Sequence, residues 1–79
     1  MNKYEKILKE TWYFLENNYK SSEITIGLWL DIIKKKSDTK NCLKMCVKQL
    51  WSMWEWDAYE EEEYYWKEYI FNNYGIVVE

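Results

Sequence analysis

Tyr4, Ile7, Leu8, Thr11, Trp12, Leu15 and Tyr19 recur at helical spacing and define one face of a helix over residues 3–18. Lys3, Lys6, Lys9, Glu5, Glu10 and Glu16 fall largely on the other faces. Asn17 and Asn18 suit the end of that helix, and Ser21 or Ser22 suits the start of the next element.

The stretch SEITIGLWLDIIKKK, residues 22–36, fits two patterns. As a helix it gathers Ile26, Trp29, Leu30 and Ile33 on one face. As a strand it alternates Ile24, Ile26, Leu28, Leu30 and Ile32 with Thr25, Gly27, Trp29 and Asp31. The residue types lean toward strand. The terminal run of lysines suits a helix C-terminus, where the backbone dipole favours positive charge, and decides for helix.

Ser37-Asp38-Thr39 reads as a turn with an N-cap. Leu43, Cys46, Val47, Leu50, Trp51 and Trp54 then form a helical stripe. Asp57 with Glu60 three residues later resembles a capping box, with Asp in place of Ser or Thr, and places a bend near 56–57. A fourth helix is expected over about 58–74, stopped at Gly75 with Ile76 as the apolar contact that follows. The tail IVVE either packs or adds a short edge strand. The fold class expected is all-α, a small single-domain bundle of about four helices over residues 1–79. The alternative is α+β, with a short hairpin from residues 23–32 and 75–79.

Composition changes this picture in two ways. A chain of 79 residues buries only about 60% of its extended surface, so its core needs reinforcement. Six Trp, eight Tyr and two Phe supply it, because each buried ring removes roughly 150–250 Å² from water. Arg, His and Pro are absent, while Lys, Asn, Ile, Tyr and Phe make up 34 residues. That usage follows AT-rich codons and points to a low-GC bacterial, plasmid or phage gene. Tryptophan has a G-rich codon, so packing or binding explains its abundance better than base composition does.

Charge is divided along the chain. Residues 1–50 hold ten Lys and six acids, net +4; residues 51–79 hold one Lys and eight acids, net −7. The two halves sum to the −3 of the whole. No apolar run is long enough to cross a membrane, and the first residues lack a signal-peptide core, so a cytoplasmic location in a bacterial host cell is expected.

Enzyme chemistry finds little support. Without histidine the commonest general base and any Ser-His or Cys-His pair are missing. No phosphate-binding glycine loop is present. Glu60 to Glu63 read as a solvated helix face rather than a catalytic carboxylate pair. Cys42 and Cys46, one turn apart, are too few for a zinc site; Cys46 reads as a core residue and Cys42 as a partly exposed thiol. No catalytic residue, metal or cofactor is expected.

Two stretches carry binding potential. Lys36, Lys40, Lys44 and Lys48 recur every four residues and put a basic flank on the third helix. With no arginine for bidentate contacts, nucleic acid is not the expected direct ligand. The stretch WSMWEWDAYEEEEYYW, residues 51–66, sets four Trp and three Tyr among six acids. A core needs the rings and a solvated face needs the acids, whereas a binding surface uses both. Trp56, Asp57, Tyr59, Glu60, Glu61, Glu62, Glu63, Tyr64 and Trp66 are therefore the expected partner-binding residues. Residues 64–74 are apolar on nearly every side, as for a helix that is central in its fold or covered by a partner.

The function expected is that of a small, acidic, aromatic-rich, non-enzymatic inhibitor or regulator. It would occupy a basic, nucleic-acid-binding surface of a larger nuclease or nucleoprotein complex; phage-encoded anti-CRISPR and other anti-defence inhibitors are of this general kind, a likeness of type that rests on no shared motif. The alternatives are a helix-turn-helix-like nucleic-acid-binding regulator using the Lys36–Lys48 stripe, and a structural homo-oligomer such as a homodimer.

Overall fold

A computed structural model describes residues 2–54, 56 and 60–79 and holds four α-helices. Helix α1 spans Lys3–Asn18, as the periodicity predicts. Its N-cap is Asn2, whose Oδ1 accepts a 2.9 Å hydrogen bond from the Glu5 N–H and satisfies one of the donors that a first turn leaves free. Ile7, Leu8, Thr11 and Leu15 are buried. The buried Thr11 hydroxyl donates to the Ile7 carbonyl at 2.7 Å, so no polar group is stranded there. Trp12 and Tyr19, expected on the inward face, lie at its edge and are exposed.

The ambiguity at residues 22–36 resolves as helix. Ser21–Glu23 form one 3₁₀ turn, and α2 spans Ile26–Lys36. Its N-cap is Thr25, whose Oγ1 accepts from the Leu28 N–H at 3.4 Å; neither Ser21 nor Ser22 caps it. Ile26, Trp29, Leu30 and Ile33 are buried together, which only helical spacing allows. The strand alternative is overturned: among the described residues there is no strand.

Helix α3 spans Lys40–Met53, with Thr39 as N-cap accepting from the Cys42 N–H at 3.0 Å. Cys42, Cys46, Val47, Leu50 and Trp51 are buried. The expectation of a partly exposed Cys42 is therefore corrected: both thiols lie in the core. The helix ends when Trp54 turns extended (φ −76°, ψ 138°), a little before the expected bend. The Asp57 capping box lies outside the described residues.

Helices α1, α2 and α3 pack on one another in all three pairings and hold the core. Each fully buried Leu, Ile or Val side chain adds roughly 1.5–3 kcal/mol to that core. Helix α4, Glu60–Tyr74, adds Ile70. Gly75 stops it at φ +69°, a left-handed conformation that a side chain disfavours, and its N–H closes the helix on the Phe71 carbonyl at 2.9 Å. Ile76 and Val78 are buried while Val77 and Glu79 are exposed, so the tail packs on the core without forming a strand.

Candidate functional site

Helix α4 is docked through one face only. Trp66 and Tyr69 are half-buried, Ile70 is buried, and the ring of Tyr74 lies 5.6 Å from Lys34 Nζ. At 100° per residue Tyr64, Tyr65 and Phe71 fall on the side away from Ile70. They are 65%, 58% and 56% exposed. Glu61 and Glu68 are exposed on that side with them, Glu62 is exposed on the flank opposite Phe71, and the Tyr64 hydroxyl donates to Glu68 Oε1 at 3.2 Å. This outer face is an acidic and aromatic strip on a rigid helix.

The strip keeps part of the expected site and divides the rest. Glu61 and Tyr64 stand together on the outer side, Glu62 is exposed on the opposite flank, and Glu63 is half-buried on the docked side, two turns before Ile70. Trp66 faces inward: a Cβ placed on Gly27 would meet its ring at 3.0 Å. Trp56 is half-buried against Trp51 and Trp54, with ring centroids 4.5 and 6.0 Å apart. These two tryptophans thus attach α4 and the segment before it to the core. Asp57 and Tyr59 lie outside the described residues, and of Glu60 only its place at the start of α4 is described. Sequence reasoning missed Tyr65 and Phe71. The signal was available for Phe71, which lies seven residues after Tyr64, two turns along the same side.

Comparison with protein-family models, curated proteins and solved structures finds no match. What the strip can do must therefore follow from its own chemistry.

Both ion pairs among the described residues lie away from α4. Lys3 meets Asp38 at 2.7 Å, and Lys36 meets Glu10 at 3.3 Å. The hydrogen bond to Lys3 holds the Asp38 carboxyl below the ordinary carboxylate range, and the same bond raises the Lys3 ammonium. Both groups are solvated, so the pair adds little stability. Neither pair involves a glutamate of the strip.

The lysine flank is more occupied. Lys36 is paired, and Lys40 Nζ lies 3.7 Å from where a Gly75 side chain would begin. Lys44 and Lys48 are exposed but border a groove that the tail closes with Val77 and Glu79. Lys34 and Lys40 thus stand where α4 ends, and positive charge there complements the helix dipole. Among the described residues no group of three potential metal ligands occurs. The Cys46 thiol is pushed up to about 11 by burial, with Cys42 beside it, so it carries little thiolate at neutral pH. No helix among the described residues is long and apolar enough to cross a membrane.

Proposed function

We propose that this protein is a non-catalytic binding protein whose α4 strip covers a basic, nucleic-acid-handling surface of a larger protein or nucleoprotein complex and blocks it. The observation that carries the reading is the exposure of Tyr64, Tyr65 and Phe71 beside Glu61 and Glu68, with no internal cation paired to those acids among the described residues. Tyr and Phe rings bury much area at small entropic cost, and acids around them steer association with a positive surface. Basic surfaces of that kind are common where a protein holds DNA or RNA. The AT-rich residue usage fits a phage or mobile-element gene, and the target class that follows is a nuclease or related defence complex in the bacterial cytoplasm.

The competing lysine reading has less behind it, since Lys36 is paired and the tail with Glu79 borders Lys44 and Lys48. The test is a nuclease-treated pull-down from a low-GC bacterial lysate. A gel-shift assay then follows, in which the captured protein binds an oligonucleotide with and without this chain. The expected result is competition with the oligonucleotide, lost in Glu61→Lys/Glu68→Lys and in Tyr64→Ser/Phe71→Ser while helicity is kept. Capture that needs intact nucleic acid, or that survives both variants, overturns the proposal.

A further inference from the structure

A cleft of about 740 Å³ opens between α1, the Ser21–Ile24 segment and the end of α3, on residues that take no part in the α4 strip. Leu8, Trp29 and Leu50 line it and are buried, so they form its depth. Trp12 and Met53 line it and are 39% and 58% exposed, so they form its mouth. Small-molecule sites typically enclose roughly 300–1,000 Å³ with mainly apolar walls, and this cleft falls inside that range.

The lining specifies what fits. The rings of Trp12 and Trp29 lie within 17° of parallel with centroids 6.2 Å apart, so both present flat faces in one orientation. Among the described residues charge enters only at the rim, where Glu5 and Lys9 stand one turn apart on α1. Their formal charges cancel, and among the described residues the depth holds no ionic group to select an ion. A protein partner needs roughly 800 Å² on each side of a stable contact. The lining of this concavity exposes far less than that. In a chain of this size, an unfilled apolar cleft beside exposed Trp12 and Met53 also withholds burial that an occupant would restore.

We propose that this cleft binds one neutral, planar, apolar small molecule, stacked on Trp12 and buried against Leu8, Trp29 and Leu50. The site is built from α1, α2 and α3, so it stands or falls independently of the α4 reading.

The test uses N-phenyl-1-naphthylamine, an uncharged planar probe that fluoresces in apolar sites. Its fluorescence is expected to rise saturably with one site per chain, with quenching of tryptophan emission and a higher Tm at saturation. Trp12→Ala weakens binding about tenfold, the scale of one aromatic stacking contact, and Met53→Asp weakens it similarly. Trp12→Phe, which keeps a ring, recovers most of the affinity. Tyr64→Ser/Phe71→Ser leaves it unchanged. Circular dichroism checks that every variant stays helical. A linear, non-saturating signal overturns the proposal, as does unchanged affinity in both Trp12→Ala and Met53→Asp. So does a dimer by sedimentation that excludes the probe until Met53→Asp dissociates it, since a second copy would then be the occupant.

Discussion

The ring of Trp66 takes up space that a side chain on Gly27 would need: a Cβ built on Gly27 lies 3.0 Å from Trp66 Cη2. Gly27 sits in the first turn of α2, and Trp66 lies in α4, so this contact seats α4 on the three-helix core. Glycine is a poor helix former, and its place here is explained by that close approach.

The two residues should therefore be coupled. In a Trp66→Ala background, Gly27→Ala is expected to stabilise the protein by about 0.5–1 kcal/mol through helix propensity. In the wild type the same substitution forces the ring aside and the gain disappears. Urea unfolding of the four proteins of the cycle measures this. Additivity to within about 0.3 kcal/mol would show that the contact carries no energy.

Helix α4 should respond very differently on its two faces. Ile70→Ala is expected to cost about 2–5 kcal/mol, because Ile70 is fully buried. Tyr64→Ser and Phe71→Ser, on the outer face, are expected to stay within about 0.5 kcal/mol each. Chemical denaturation distinguishes the cases; equal losses on both faces would mean that the exposed rings serve the fold and not a partner.

Gly75→Ala should destabilise by about 1–2 kcal/mol, since it places a Cβ in the left-handed region at φ +69°. Among the described residues only Lys40 Nζ comes near that site, at 3.7 Å, so the loss reports backbone conformation. Gly75→Asn, which tolerates that conformation better, should lose less, and thermal unfolding orders the three proteins. A ranking with alanine above asparagine would contradict the assignment of Gly75 as the stop.

Stability should fall in alkali. Burial raises the Cys46 thiol to about 11 and also raises the Tyr74 phenol. Raised values mean that the folded state holds these protons more tightly than the unfolded chain. Their contribution is complete below the unfolded values, about 8.5 for Cys and about 10 for Tyr, and is lost as pH rises through the folded ones. Cys46→Ala should lower stability throughout but flatten the decline between about 8.5 and 11. An unchanged decline in that variant would remove Cys46 as a cause. Thiol-reagent labelling at neutral pH should likewise be slow until the chain unfolds, because both cysteines are in the core.

By itself the sequence determined the local order of the chain. The first helix, an N-cap within Ser37-Asp38-Thr39, the stripe of α3 and the Gly75 stop all depend on residues within a turn or two of each other, where propensity, capping and 3.6-residue periodicity act directly. Even the contest at residues 22–36 was settled by a local cue, the lysines at the helix C-terminus. The sequence also located an acidic and aromatic concentration near Glu61, Glu62 and Tyr64. Only the tertiary structure decided which large rings remained outside. Trp56 and Trp66 were drawn inward by neighbours distant in sequence or beyond a helix end, Trp51 and Trp54 for one and Gly27 for the other. Tyr65 and Phe71 were left in solvent because one face of α4 sufficed to dock it. The cleft under Trp12 and the burial of Cys42 are of the same kind, since both follow from how helices meet. Burial of a ring is a property of the surfaces that close over it, and periodicity within one helix does not contain the position of the next.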